Sequence, residues 1–261
     1  MTKNIAIMSD GASIAWQIDG PDDAPTLLLS NSLGTDHTMW DNQLTDFTKR
    51  YRVLRYDTRG HGQSDAPHGA YGLDRLGLDV LELLDALKID RISFCGVSLG
   101  GMTGQWLGVH ASNRIDRVVL ANTAAYMGPP SSWQTRIDTV LTNGMRAITD
   151  GVLDRWFTPE FLNTFPDKIQ DVRYVFENCK PQGYAGCCAA IRDMDQRPVV
   201  GLISCPTLII SGLRDPATPP AQGEALAAAI PGARHILLDA AHLSNIEQSE
   251  EFNEAVLNFL D

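Results

Sequence analysis

Residues 92–100 read Ile92-Ser93-Phe94-Cys95-Gly96-Val97-Ser98-Leu99-Gly100. A short apolar run, Ile92 to Cys95, leads into the pattern G-x-S-x-G, and the residues that follow have helical character. In this strand–turn–helix context the two glycines permit a sharp turn, which strains Ser98 and raises its hydroxyl above the sheet. The N-terminus of the following helix then points at negative charge that develops beside the serine. The stretch therefore predicts an α/β fold that carries a nucleophilic serine.

Short apolar runs of the same kind recur along the chain, with helical periodicity between them. Near-continuous runs of Val, Ile and Leu suit strands that are covered on both faces, as in a parallel sheet. Two alternating segments joined by Asp10-Gly11 predict a leading hairpin in addition. The sequence therefore predicts a mostly parallel sheet of about eight strands flanked by helices. The predicted strands are Asn4–Ser9, Ser13–Ile18, Thr26–Ser30, Arg52–Tyr56, Ile92–Cys95, Val118–Asn122, Thr207–Ser211 and His235–Leu238.

The alternation of strands and helices stops after Asn122 and resumes near Cys205. The residues between them have helical periodicity, and their Trp, Arg and Pro content differs from that of the flanking segments. This pattern predicts an α/β core made of residues 1–122 and 205–261, with an inserted helical cap at residues 123–204. In the alternative arrangement, the same helices pack beside the sheet and form no separate cap.

The charge balance limits the partners of the chain. Its 21 Lys and Arg against 32 Asp and Glu give a net charge of −11, which repels a nucleic-acid backbone. No stretch approaches the roughly 18 apolar residues of a membrane span, and Met1–Asp10 lacks the apolar segment of a signal peptide. We therefore expect neither a nucleic-acid nor a membrane partner, and nothing in the sequence indicates an oligomeric state.

The five cysteines predict neither a disulfide framework nor a zinc site, because their number is odd and no C-x-x-C spacing occurs. A reducing cytoplasm is the simplest location for such a chain. The adjacent Cys187 and Cys188 are interpreted as buried apolar residues, with a redox pair as the alternative. The sequence also lacks H-E-x-x-H, a Cys/His cluster and an acidic calcium loop, so we expect neither a metal nor another cofactor.

A serine nucleophile needs a base, and the base needs a third group to orient it. His242 and Asp215 each follow a predicted strand, so both lie at the end of a strand, as Ser98 does. The alternatives are a histidine in a surface loop and an aspartate that only forms a turn before Pro216. Asp239 is a rival acid, but it lies too near His242 in the sequence to be favoured. We predict the triad Ser98, Asp215 and His242.

The chain order Ser, Asp, His and the G-x-S-x-G turn resemble the α/β-hydrolase superfamily over essentially the whole chain. Asp57-Thr58-Arg59-Gly60-His61-Gly62-Gln63-Ser64 is similar to the D-x-R-G-x-G-x-S turn of that superfamily. One departure is that Asn31-Ser32 replaces the usual His-Gly after the third strand, although Leu33 still matches the residue that donates to the oxyanion. The resemblance implies an oxyanion hole made of the Leu33 and Leu99 backbone N–H groups.

Further segments resemble the 3-oxoadipate enol-lactonase family. They are Ser30–Thr35, Met39-Trp40-Asp41, Gly96–Gly101, Trp133–Ile137 and Arg155-Trp156-Phe157. That family hydrolyses a five-membered enol-lactone bearing a carboxylate, in bacterial catabolism of protocatechuate and catechol. The resemblance implies a cofactor-free hydrolase whose partner is a small anionic lactone. The alternatives are a carboxylesterase or C–C hydrolase with the same triad, and a small-molecule receptor built on the same fold.

An anionic substrate needs a local cation in a chain of net charge −11. Arg136 is the first candidate, because it lies three residues after Trp133 on a predicted helix and the two side chains would share a face. The alternative is an arginine that simply faces water, and Arg155 and Arg192 are the reserve candidates. Ser32 and Trp156, which lie in the segments that resemble the enol-lactonases, complete the predicted substrate-binding residues.

Overall fold

The structure is a computed structural model that describes residues 4–261, so residues 1–3 of the predicted core lie outside the described residues. Eight strands form one sheet. In chain order they are β1 (Ile5–Ile7), β2 (Ser13–Asp19), β3 (Thr26–Ser30), β4 (Arg52–Tyr56), β5 (Ile92–Val97), β6 (Ile115–Ala121), β7 (Thr207–Gly212) and β8 (Arg234–Leu238).

The strand order in the sheet is β1-β2-β4-β3-β5-β6-β7-β8. β2 pairs antiparallel with β1 and with β4, whereas the pairs from β3 to β8 are all parallel. The predicted eight-stranded, mostly parallel sheet is therefore confirmed. Because parallel strands end at one edge, the residues that follow β5, β6, β7 and β8 lie near one another.

Both faces of the sheet are covered, as the apolar runs predict. In β3, Leu27 and Leu29 belong to one buried apolar cluster, and Leu28 between them belongs to the cluster on the opposite face. This alternation follows from the two-residue period of a strand. Eleven α-helices are present among the described residues: α1 (Asp41–Phe47), α2 (Leu73–Ala86), α3 (Leu99–His110), α4 (Pro130–Asn143), α5 (Thr149–Trp156), α6 (Pro159–Thr164), α7 (Pro166–Glu177), α8 (Pro181–Asp193), α9 (Pro220–Ala229), α10 (Ser244–Glu247) and α11 (Ser249–Leu260).

The strand β6 differs from its predicted range. It starts at Ile115, because a bulge in the pairing with β5 admits the polar Asp116 and Arg117 into its first half. It ends at Ala121, and Asn122 leaves the strand with a φ of 45°. Asn is one of the few residues other than Gly that tolerate this left-handed region. The prediction that Asn122 belongs to the strand is therefore wrong.

The residues between β6 and β7 contain α4 to α8 and no strand of the described sheet. Four of these five helices begin with proline, a residue that suits the first helical position because its missing N–H would have no partner there. α4 and α8 pack against each other along their length. The helical content matches the expectation for residues 123–204, and the division into core and cap stays a prediction.

The helix α8 contacts the turn at residues 57–64 through the backbone. Gly60 has a φ of +86°, and a Cβ there would lie 2.5 Å from the Cα of Gly183. A Cβ on Gly183 would lie 2.1 Å from the Gly60 carbonyl oxygen. Beside this contact, the Cys187 thiol donates to the Arg59 carbonyl at 3.4 Å. Only glycine fits at either position, so the Gly60–Gly183 contact fixes α8 on the core.

Candidate active site

Ser98 lies in the sharp turn between β5 and α3, with a φ of 57° and a ψ of −113°. For a residue other than glycine this conformation is strained, and such strain is stored mainly at functional sites. The two motif glycines allow the turn to pack tightly. A Cβ on Gly96 would lie 2.3 Å from the Gly100 carbonyl carbon, and a Cβ on Gly100 would lie 2.1 Å from the Ser30 carbonyl oxygen. The sequence therefore forms the turn that its motif predicts.

Asp215 is buried in the loop after β7 and accepts hydrogen bonds on both carboxylate oxygens. The backbone N–H groups of Ala217 and Thr218 donate to Oδ1 at 2.8 and 2.9 Å. The Thr218 hydroxyl donates to Oδ2 at 2.7 Å, and Asn122 Nδ2 donates to the same atom at 3.0 Å. These donors fix the carboxylate in one orientation and favour its ionised form.

His242 lies in the loop after β8, with its Nδ1 2.8 Å from Asp215 Oδ2. Because Asp215 is ionised, Nδ1 carries the proton and donates, which leaves Nε2 able to accept one. Burial raises the pKa of Asp215, but the electrostatic interaction with His242 and the hydrogen bonds from His242 and Thr218 outweigh it and place this pKa below its usual range. The carboxylate therefore stays charged at neutral pH and fixes the tautomer of the imidazole.

The rival acid, Asp239, does not contact the imidazole of His242. Its side chain is 70% exposed and pairs with the Arg214 guanidinium at 2.9 Å. The structure therefore brings Asp215, and not Asp239, to the imidazole of His242.

Ser98 and His242 line the same cavity, which has a volume of about 470 Å³. The Ser98 hydroxyl makes no hydrogen bond to any residue that the structure describes, although the Ser98 carbonyl accepts from Thr123 Oγ1 at 2.8 Å. In enzymes without bound substrate, catalytic hydrogen bonds are often long and tighten only in the complex. The shared cavity brings the serine hydroxyl and the imidazole into one site.

The Leu33 and Leu99 N–H groups, predicted as oxyanion donors, have no acceptor within the described chain. The N–H groups of the next residues in the chain do have acceptors. Gly34 N–H donates to His61 Nε2 at 2.9 Å, and Gly100 N–H donates to the Asn31 carbonyl at 3.0 Å. Buried backbone N–H groups are rarely left unpaired. Leu33 and Leu99 are both buried, so two unpaired donors beside Ser98 favour a site that stabilises negative charge.

The loop that carries Leu33 is held by Asn31, which stands where the superfamily has His. Its Nδ2 donates to the Tyr56 carbonyl at 2.8 Å, and its Oδ1 accepts from the Trp40 indole at 2.9 Å. On the other side of Leu33, the buried His61 accepts from Gly34. Burial lowers the pKa of His61, which keeps its imidazole neutral and able to accept. The sequence alone does not reveal the supporting roles of His61, Asn31, Asn122 and Thr218.

The predicted substrate-binding residues Ser32, Trp133, Arg136 and Trp156 all line the cavity, together with Arg155. The guanidinium of Arg136 lies over the Trp133 ring, 4.9 Å from its centroid. The reserve candidate Arg192 does not line it. That side chain pairs with Asp193 at 2.7 Å and with Gln134.

The lining residues of the cavity include no Asp or Glu, within the part of the chain that the structure describes. Arg136 has only a long contact, 3.5 Å, with the Tyr184 hydroxyl as its side-chain hydrogen bond. Burial and the charge of Arg136 together lower the pKa of Arg155. The cavity is therefore lined by positive charge, although the protein as a whole has a net charge of −11.

Potential metal-ligating groups come together once among residues 4–261, at Asp36, His37 and Asp57. His37 Nδ1 is hydrogen-bonded to Asp57 Oδ1 at 2.8 Å, so these two side chains already have each other as hydrogen-bond partners. A groove of about 400 Å³ between this region and α7 contains none of the predicted site residues. Both features lie outside the cavity of Ser98 and His242.

Comparison with known proteins gives a consistent set of relatives. A family model described as alpha/beta hydrolase fold matches residues 25–249. 3-Oxoadipate enol-lactonase 2 of Acinetobacter baylyi is 44% identical, over 91% of this chain and 89% of the relative. 3-Oxoadipate enol-lactonase 1 of the same organism is 40% identical, over 96% and 94%.

Among solved structures, the enol-lactonase from Burkholderia xenovorans LB400 superimposes with a TM-score of 0.97 at 47% identity, covering 98% of this chain and 99% of that one. None of the helices that the structure describes has the length and hydropathy of a membrane span.

Proposed function

The chain belongs to the alpha/beta hydrolase fold family, and we propose that it opens 3-oxoadipate enol-lactone to 3-oxoadipate with Ser98 as its nucleophile. The observation that carries the proposal is the cavity that unites Ser98, His242 and two arginines without any carboxylate among its lining residues. An ester-cleaving serine beside a cationic pocket fits a lactone that carries a carboxylate. The reaction belongs to the β-ketoadipate pathway of aromatic catabolism, as the names of the relatives imply.

In the first step, Ser98 Oγ attacks the lactone carbonyl while His242 Nε2 takes the hydroxyl proton. Asp215 holds the imidazole and stabilises the imidazolium that forms. The carbonyl oxygen becomes an oxyanion, and the N–H groups of Leu33 and Leu99 donate to it. The strained turn supports this step, because it holds Ser98 at the helix N-terminus before the substrate arrives.

In the second step, the tetrahedral intermediate collapses, the ring C–O bond breaks, and His242 protonates the departing enol oxygen. The enol stays attached, because leaving group and acyl group belong to one ring. Water, activated by His242, then hydrolyses the acyl-enzyme and restores Ser98. The enol tautomerises to a ketone, which draws the overall reaction toward 3-oxoadipate.

A spectrophotometric turnover assay with the enol-lactone tests this function. We expect multiple turnovers and a kcat/KM well above that for neutral esters of similar size. Comparable rates for neutral esters would instead identify a carboxylesterase, and cleavage confined to C–C substrates would identify a C–C hydrolase. Binding of the lactone without turnover would identify a receptor on the same fold.

Replacement of Arg136 by alanine should lower the preference of the enzyme for anionic substrates. A hydrogen bond to a charged group contributes about 1.5 to 3 kcal/mol, so the ratio of kcat/KM for the lactone over a neutral ester should fall by roughly 10- to 150-fold. Steady-state kinetics with both substrates measure the ratio. Arg192→Ala is the matched control, because that arginine pairs with Asp193 outside the cavity. Equal losses with both substrates would indicate a misfolded helix, and no loss would place Arg136 in solvent.

Turnover should be independent of metal ions, since the proposed chemistry uses only Ser98, His242, Asp215 and two backbone donors. Incubation with EDTA should leave kcat unchanged, whereas a serine-directed phosphonate should inactivate the enzyme stoichiometrically. Mass spectrometry of the inactivated protein should locate the adduct on Ser98. Restoration of a chelated enzyme by Zn²⁺ would contradict the serine mechanism and direct attention to Asp36, His37 and Asp57.

We place the reaction in the cytoplasm. The support for this location is that all five cysteines are buried free thiols, a form that a reducing compartment maintains.

A further inference from the structure

Among the described residues, most arginines have carboxylate partners, and two that lack them share one cavity. Eleven of the sixteen arginines of the chain form ion pairs with Asp or Glu. Arg136 and Arg155 form none, and both line the cavity of Ser98. With 32 acidic residues in the chain, partners are plentiful, so the missing ion pairs in this cavity need a reason.

The two arginines reach the cavity from different helices. Arg136 lies on α4, and Arg155 lies in the last turn of α5. Both side chains are partly buried and are close enough for the charge of Arg136 to lower the pKa of Arg155. Like charges held together without a counter-ion are unfavourable, and an anion bound between them removes the repulsion.

The donors that such an anion needs are available. A guanidinium has five N–H donors, and Arg136 uses its own only in the long contact with Tyr184. Arg155 makes no side-chain hydrogen bond within the described chain. A carboxylate offers two oxygens and about four lone-pair positions, so one carboxylate can accept from both arginines at once.

We propose that Arg155 is a second specificity-determining residue, which binds the substrate carboxylate jointly with Arg136 and thereby connects α5 to α4 through the ligand. The inference rests on the proposed function for the identity of the substrate. The anion site itself rests on the two unpaired guanidinium groups in a cavity lined by no carboxylate among residues 4–261.

The test compares two esters that share a leaving group: 4-nitrophenyl hydrogen succinate, which has an anionic acyl chain, and 4-nitrophenyl butanoate, which is neutral. For Arg155→Gln we expect the ratio of kcat/KM, anionic over neutral, to fall by about 10- to 150-fold, mostly through KM. Arg155→Lys keeps a cation and should recover part of the ratio. Arg192→Gln is the matched control and should leave the ratio as it is.

A second measurement uses no turnover. Succinate titrated into the Ser98→Ala protein should bind with a Kd that Arg155→Gln raises about 10-fold or more. The Arg136→Gln/Arg155→Gln double variant should lose less than the product of the single effects, because both residues contact one carboxylate.

Equal losses with the two esters, or an unchanged succinate Kd in Arg155→Gln, would overturn the proposal. Strictly multiplicative effects in the double variant would also overturn joint binding of one carboxylate. Failure of the proposed function is a distinct result. In that case the enol-lactone is not turned over, while the two esters and the succinate titration still report on the anion site.

Discussion

Replacement of Ser98 by alanine should lower kcat by about 10⁴- to 10⁶-fold, and His242→Ala should lower it by a similar factor. Without the hydroxyl there is no acyl-enzyme, and without the imidazole the hydroxyl keeps its proton. Since the members of a triad act as a unit, the double variant should be no worse than either single variant. Steady-state and single-turnover kinetics with the enol-lactone measure these losses.

Two controls separate the loss of chemistry from loss of the fold. Ser131→Ala and His68→Ala change exposed residues outside the cavity lining and should retain the wild-type kcat. Thermal unfolding should show that the Ser98 and His242 variants stay folded. A Ser98→Ala enzyme with a tenth of its activity, or additive losses in the double variant, would remove Ser98 from the nucleophile role.

Replacement of Asp215 by asparagine should preserve the fold but cost up to about 10⁴-fold in kcat. An amide in place of the carboxylate favours the wrong imidazole tautomer, because its NH₂ group can donate to Nδ1 and move the proton to Nε2. Nε2 could then no longer accept the Ser98 proton. Steady-state kinetics with the variant and the wild type measure the loss of kcat.

Asp239→Asn is the matched control for this variant. Its carboxylate is exposed and pairs with Arg214, so its loss should cost little, as for most surface ion pairs. If Asp239→Asn instead proves the more damaging substitution, the assignment of the acid is wrong.

Much of the fold can be predicted from the sequence, because the strands of a doubly covered parallel sheet consist of apolar residues. Thr26–Ser30 and Arg52–Tyr56 coincide with β3 and β4. The prediction is wrong at β6, where a bulge and the left-handed Asn122 set the ends. These features depend on pairing with neighbouring strands, which local sequence does not contain.

The candidate site likewise contains residues that can be predicted from the sequence and residues that cannot. Ser98, Asp215 and His242 can be predicted, since each follows a recognisable strand. The contact of Asn122 with Asp215 cannot be predicted from local sequence, because it depends on β6 lying next to β7 in the sheet. The hydroxyl of Thr218 donates to the carboxylate only three residues earlier in the same loop, a local contact that the sequence analysis did not consider. Strand order, had it been known, is the signal that could have found Asn122.

The two reserve arginines illustrate a second limit of sequence. Arg155 and Arg192 both lie on helices between β6 and β7. Only the packing of α4, α5 and α8 decides that Arg155 lines the cavity while Arg192 pairs with Asp193. Helical periodicity predicts a face but not the neighbour that the face meets.

The Gly60–Gly183 contact has a consequence for the length of the substrate. Since backbone meets backbone there, α8 has no room to move toward the core, and no side chain remains that could adapt. α4, which carries Arg136, packs on α8, so the backbone at Arg136 is held in place against the core. We therefore expect the cavity to select among acids by the separation between the acyl carbon and the carboxylate, so that homologous substrates one methylene longer or shorter are cleaved more slowly.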